Sequence, residues 1–292
     1  MIQHITAAAA GTITLGGNLT VNRLGYGAMR ITGKGIWGPP QDHDAAIATL
    51  RRAVELGVNF IDTADSYGPN VSEELIAEAL APYPSGVVIA TKGGWERPGP
   101  GQWTHNASPS HLREAVEGSL KRLRLDRIEI YQLHTPDLAV SFEASVETLA
   151  RLREQGKVRH IGLSNVTREH IERARKIVPI VSVQNRYSFA DREWDYVVNY
   201  CAENGIAFIP WAPLGSGKRA SEVLEKVAQR LDAAPLQVAL AWLLKRSPAM
   251  LPIPGTSSPK HLDENVAAAT LELPPAEFER LSAVTPPPNS LR

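Results

Sequence analysis

The chain has 292 residues, and its 31 lysines and arginines are matched by 31 aspartates and glutamates with no basic block. That balance argues against nucleic acid or an anionic membrane as the main partner, because counterion release needs a concentrated positive face. The single cysteine, Cys201, rules out an internal disulfide and fits a reducing compartment.

The first run, MIQHITAAAAGTITL, has an alanine stretch but neither a basic n-region nor a long apolar core. It therefore reads as no signal peptide, and no segment approaches the ~20 apolar residues of a membrane span. The expectation is a cytoplasmic chain. With no heptad or apolar surface stripe, it is expected to be a monomer.

Residues 12–15 and 19–21, joined across Gly16-Gly17-Asn18, predict a β-hairpin. Residues 24–26 form a weak first strand. A helix over 44–56 follows, with Ile47, Leu50 and Val54 on one face and Gly57 at its end. Strand 58–61 comes next. Asn70 and Glu73 have capping-box spacing ahead of a helix through Leu80. Strand 87–90 leads into a long loop over 93–107, and Ser108-Pro109 opens a helix carrying Leu112, Val116, Leu120 and Leu123 on one side.

The alternation continues with strand 128–133 and a helix over 141–154. Strand 160–163, a helix from Thr167, strand 180–183 and a helix from Asp191 follow. Strand 206–209 precedes helical segments at 221–230 and 235–245. Strand 251–253, a helix from Pro259 and a tail helix over 275–283 end the pattern. Eight strands, each followed by a helix with no break in composition, predict an α/β fold. The specific expectation is a (β/α)8 TIM barrel with an N-terminal β-hairpin, one domain over 1–292. An open doubly wound sheet is the competing architecture.

Barrel active sites form at the C-terminal ends of the strands. Those positions hold Asp62, Lys92, His134, Ser164-Asn165, Gln184-Asn185, Trp211 and Gly255-Thr256-Ser257-Ser258. Closure of the barrel brings them to one mouth. Asp62, Tyr67, Lys92 and His134 then form a chemical group. A phenol has a reference pKa of about 10, and a nearby ammonium is expected to lower it. Asp62 would keep Lys92 charged, and His134 would orient a carbonyl. The eight histidines show no paired ligand spacing, so no metal site is expected.

The run GKGIWG at 33–38 matches the G-x-G-x-x-G pattern of a dinucleotide loop. In a Rossmann unit, however, those glycines open a helix whose N-terminus takes the pyrophosphate. Here Pro39-Pro40 follow, fixing an extended path and withholding two N–H groups. The run reads instead as a surface loop.

The runs NFIDTADSYG (59–68), VIATKGG (88–94), IYQLHTPD (130–137), HIGLSNV (160–166), VQNRYS (183–188), IPWAPLGSG (209–217) and IPGTSSPKHLDEN (253–265) resemble those of the aldo-keto reductases, in order and over nearly the whole chain. The resemblance implies Tyr67 as general acid, Lys92 and Asp62 as its tuning pair, and His134 as the carbonyl-orienting group. It also implies an extended NADPH/NADP+ cofactor. Ser164, Asn165 and Gln184 would hold the nicotinamide amide, with Trp211 stacked on its ring. The segment 25–29, including Gly27 and Met29, would lie close by. Leu214, Ser216 and Gly217 would cover the pyrophosphate, and Glu264 and Asn265 would contact adenine.

Gly255, Thr256, Ser257, Lys260 and His261 would surround the adenosine 2′-phosphate, because the helix from Pro259 offers free N–H groups and its dipole to an anion. Some branches of the family carry lysine where Gly255 stands and arginine where His261 stands, so this pocket is less cationic. Within the family, the run 22–40 resembles the pyridoxal reductases. That implies a substrate pocket walled by Trp37, Trp95 and Trp103, and pyridoxal as the favoured small-molecule carbonyl substrate. General reduction of other aldehydes and ketones, a nicotinamide-binding regulatory subunit with negligible turnover, and a barrel isomerase are the competing functions.

Overall fold

The computed structural model describes residues 5–213 and 222–284. The hairpin is present as β1 (Thr12–Leu15) and β2 (Leu19–Asn22), paired antiparallel. Seven parallel strands then curl side by side in chain order. They are β3 (Tyr26–Gly27), β4 (Phe60–Asp62) and β5 (Val88–Gly93), followed after a small ribbon by β8 (Ile128–Leu133), β9 (Val158–Ser164), β10 (Ile180–Gln184) and β11 (Ala207–Phe208). The ribbon pairs β6 (Trp95–Glu96) with β7 (Thr104–His105) inside the segment expected to be an unbroken loop.

Residues 249–253 close the ring without forming a regular strand. Phe208 N donates to Ala249 O, Leu251 N to Phe208 O, and Gly25 N to Pro252 O. Pro252 and Pro254 have no N–H to give, so the expected eighth strand shrinks to a bridge between Phe208 and Met250. The seam is also tight: a Cβ on Gly27 would lie 2.7 Å from Ile253 O.

The period-2 alternation of the strands divides the interior into layers. Phe60, Ala90, Ile130, Ala207 and Leu251 belong to an apolar cluster that Leu15, Leu19 and Val21 of the hairpin plug from below. One step further along the same faces stand Asp62, Lys92, Gln132, Ser164 and Gln184. The polar layer thus sits on an apolar floor, at the mouth.

The outer helices are α1 (His43–Glu55), α2 (Val71–Leu80), α3 (Pro109–Leu123), α4 (Phe142–Glu154) and α5 (Arg168–Arg175). They continue with α6 (Asp195–Glu203), α7 (Glu222–Arg230), α8 (Pro235–Arg246), α9 (Pro259–Ala267) and α10 (Pro275–Ser282). Asp42, Ser108, Ser141, Thr167 and Ser258 cap their helices through side-chain oxygens. No described helix is long and apolar enough to cross a membrane.

Two expectations fail locally. Asn70 takes a left-handed conformation at φ 71° and makes no side-chain cap. Its expected partner Glu73 is fully buried and accepts instead from Thr91 Oγ1 and Arg122 Nε. The helix expected from Asp191 begins at Asp195, because Asp191 closes a turn with Ser188 and pairs with Arg186 at 2.9 Å.

Candidate active site

Each group of the polar layer is delivered by a different strand end. Asp62 ends β4, Lys92 lies near the end of β5, and His134 follows β8. Tyr67 comes from the turn between β4 and α2. Lys92 is fully buried, and its three protons all have acceptors: Asp62 Oδ1 at 2.6 Å, Thr63 O at 2.8 Å and the Tyr67 hydroxyl at 3.4 Å. Asp62 is 2% exposed and accepts at its other oxygen from Gln184 Nε2 at 2.8 Å and Gln132 Nε2 at 3.1 Å.

Burial alone would depress the Lys92 ammonium, but the Asp62 charge and the hydrogen bonds to Asp62 and Tyr67 outweigh it and hold the group above the usual lysine range. At Tyr67 the balance goes the other way. Burial pushes the phenol up, and Lys92 pulls it back without overcoming that effect. This corrects the expectation of a lowered phenol: the site keeps Tyr67 protonated. His134 is held well below the usual histidine range, first by burial and then by the Lys92 charge, so its ring is neutral. Its Nδ1 lies 3.4 Å from Ser66 Oγ, and its ring meets Tyr67 edge-on at 5.8 Å between centroids.

These groups open into a cavity of about 550 Å³. Gly27, Met29, Ser164, Asn165, Gln184, Trp211 and Gly255 share its lining with Asp62, Tyr67 and His134. Trp95 and Trp103 form a third side. Trp37 does not line it: its ring lies 5.4 Å from the Arg97 guanidinium, and Ile36 fills the wall position expected of it.

A cleft of about 550 Å³ continues from this cavity between Gly33–Ile36 and Gly255, Thr256 and Ser257. Gly33 and Gly35 of GKGIWG therefore border the mouth. A Cβ on Gly33 would sit 2.2 Å from Trp37 O, so the residue serves the loop's own close turn.

The donor set suits an amide-bearing aromatic ligand. Gln184 spends its Nε2 on Asp62, and nothing among the described residues donates to its Oε1. Ser164 offers its hydroxyl beside it. Asn165 is less free than expected, since Nδ2 donates to His134 O and Oδ1 accepts from Trp211 Nε1. These bonds fix the Trp211 indole at the cavity edge.

Lys260 and His261 are exposed on the first turn of α9. The same helix exposes Glu264 and buries Asn265 to 6%. Leu214, Ser216 and Gly217 lie outside the described residues. No cluster of three or more His, Cys, Asp or Glu placed to hold a metal occurs among the described residues.

Sequence reasoning missed Gln132, Ser66, Ile36 and Arg97. Gln132 carried a signal, being a polar residue at an inward position of an otherwise apolar strand. The other three become visible only once the loops are folded against each other.

Residues 23–286 match the aldo/keto reductase family. An uncharacterized oxidoreductase of Schizosaccharomyces pombe is 48% identical over 279 residues, covering 95% of this chain and 90% of that protein. Pyridoxine 4-dehydrogenase of Escherichia coli K12 is 46% identical over 285 residues, covering 95% of this chain and 99% of that protein. A thermostable aldo-keto reductase solved with the inhibitor epalrestat superposes with a TM-score of 0.82 at 27% identity, over 93% of this chain and 98% of that one.

Proposed function

The chain belongs to the aldo/keto reductase family, and on that premise we propose that it reduces aldehydes to alcohols with NADPH, with pyridoxal as the favoured substrate and pyridoxine as the product. The observation that carries this reading is the buried Lys92, bonded at once to Asp62 and to the Tyr67 hydroxyl. A protonated phenol backed by a fixed cation is suited to giving its proton to an oxygen on which negative charge develops.

Reduced nicotinamide supplies the hydride that the carbonyl carbon receives. Tyr67 gives its hydroxyl proton to the carbonyl oxygen, and Lys92 stabilises the phenolate left behind. Asp62 holds Lys92 charged and in register. Neutral His134 has Nδ1 3.4 Å from the Ser66 hydroxyl; in the tautomer where that hydroxyl donates to Nδ1, Nε2–H would hydrogen-bond to the same carbonyl oxygen without giving up its proton.

Ser164 and Gln184 would hold the nicotinamide amide and Trp211 its ring face, with Gly27 and Met29 lining the same cavity. Thr256, Ser257, Lys260, His261 and Glu264 are assigned to the adenosine end. Pyridoxal is favoured because Trp95 and Trp103 line the cavity, and because the E. coli relative is a pyridoxine 4-dehydrogenase.

Steady-state oxidation of NADPH with a panel of aldehydes tests this. Turnover is expected, highest with pyridoxal. Tight NADPH binding without turnover on any aldehyde would replace the reading with that of a regulatory subunit. Loss of any fluorescence response to NADPH would remove the cofactor as well.

A further inference from the structure

One buried cation ties together the walls of the cavity without lining it. Arg97 lies just past β6 and is 8% exposed. Its guanidinium bonds carbonyls from three segments: Nη1 donates to Ser66 O at 2.9 Å and to Ile36 O at 3.0 Å, and Nε donates to Gln102 O at 2.9 Å. Its face lies 3.7 Å from the Trp103 ring centroid. Ile36 and Trp103 are cavity walls, and Ser66 is the residue that reaches His134. Among the described residues no carboxylate pairs with Arg97. A charge is thus buried on carbonyl dipoles and an indole face, which is costly unless the geometry it fixes matters.

We propose that Arg97 is a specificity-determining positioning residue, which sets the seating of Ile36 and Trp103 and so shapes the cavity into a slot for flat aromatic aldehydes. This rests on the carbonyl-reduction reading above. The planar fork is essential to the role, because a lysine ammonium cannot reach three carbonyls while stacking on an indole. The loop 33–38 also holds itself through Gly33 N to Gly38 O, and Gly38 N to Gly68 O ties its far end to the turn after Tyr67. Without Arg97 the loop keeps its fold and its tether at Gly68, while Ile36 loses its seat. The nicotinamide groups Gln184 and Trp211 make none of these contacts, so the nicotinamide end is held independently of Arg97.

The test uses Arg97→Lys, Arg97→Met and Arg97→Ala in the full chain. It compares pyridoxal with a straight-chain aliphatic aldehyde, measures NADPH affinity by fluorescence, and follows amide hydrogen exchange without cofactor. Loss of charge-assisted bonds predicts a KM for pyridoxal raised about tenfold or more, with kcat and NADPH Kd within about threefold. The aliphatic aldehyde, with no ring to clamp, should lose much less. Exchange in 33–38 and 100–104 should quicken, and millimolar guanidinium should partly restore the pyridoxal KM of Arg97→Ala.

An equal loss for both aldehydes, or an Arg97→Lys enzyme with wild-type selectivity, overturns the proposal. If the wild type reduces no aldehyde, the carbonyl reading fails on its own. The exchange measurement still decides the role of Arg97, since unchanged exchange in 33–38 overturns its positioning role.

Discussion

Lys92 Nζ lies 2.6 Å from Asp62 Oδ1, with both side chains cut off from solvent. Neither charge has water to fall back on, so each depends on the other. Removing one partner of a buried pair leaves the second uncompensated, at a cost of ~3–5 kcal/mol. Asp62→Asn and Lys92→Met should each destabilise the fold by about that much. The double variant should lose clearly less than the sum, because it buries no lone charge. Urea unfolding of the three proteins measures this, and strict additivity would mean that the pair is uncoupled.

Tyr67 is the proposed proton donor, and Tyr67→Phe removes only its hydroxyl. Loss of general acid catalysis typically costs about 10²–10⁴ in rate. Reduction should fall by that factor while the NADPH dissociation constant stays nearly unchanged. A variant that keeps more than about a third of wild-type kcat would sink the assignment, being far outside that range.

The pH dependence follows from burial. Because Tyr67 is raised above the usual phenol range, reduction should lose no activity to phenol ionisation until above about pH 10. Stability should change at the other end of the scale. Unfolded histidine titrates near 6.5, whereas folded His134 sits well below that. Between those two values the unfolded chain binds a proton that the folded chain refuses, so stability falls as pH falls. His160 and His170, also lowered mainly by burial, add to the slope. The contribution is whole above about pH 6.5 and is lost progressively below it. Melting temperatures from about pH 8 to 5 should show this, with a shallower slope in His134→Gln. An unchanged slope in that variant would place the effect on other groups.

The alternation of apolar strands and amphipathic helices made the barrel legible, and the strand ends pointed to Asp62, Lys92 and His134. What escaped was set by tertiary contact. Glu73 has capping-box spacing, yet Arg122 and the buried Thr91 claim its carboxylate. The strand at 251–253 reads well until Pro252 and Pro254 are counted as missing donors. The resemblance of 22–40 to the pyridoxal reductases puts Trp37 at the substrate wall. In the fold that ring lies beside Arg97, which no local pattern marks, and Ile36 lines the cavity instead. The direction of the phenol shift is not legible in the sequence, which shows the neighbouring lysine but not the depth of burial.

Substrate choice should reflect the indoles. Trp95 and Trp103 meet edge-to-face at 5.8 Å between centroids, and Trp95 also approaches His134 at 6.3 Å. A flat heteroaromatic aldehyde gains ring contact there that a hydrated sugar does not. The kcat/KM for pyridoxal should therefore exceed that for glucose by a wide margin. Equal values would refute the pocket assignment, and Trp103→Ala should narrow the gap mainly through the KM for pyridoxal.

Cofactor choice should depend on the start of α9. Ser258 caps this helix, with Oγ accepting from His261 N at 3.4 Å, and Thr256 Oγ1 accepts from Ser258 N at 3.1 Å. This shapes a turn with Lys260 exposed beside it, suited to an adenosine 2′-phosphate. A charge-assisted hydrogen bond is worth roughly 1.5–3 kcal/mol, so Lys260→Ala should raise KM for NADPH about tenfold or more. NADH lacks that phosphate, and its kinetics should barely change. An equal loss for both nucleotides would make Lys260 structural. The glycine loop provides the control. Gly33→Ala is uninformative, because its Cβ would strike Trp37 O and break the loop itself. Gly35 has φ 73° with open space around it, and asparagine tolerates that conformation. Gly35→Asn should leave the NADPH dissociation constant within about twofold, as expected of a backbone that makes no phosphate contact. A large loss in Gly35→Asn would show instead that the GKGIWG backbone cradles phosphate, despite the two prolines that follow it.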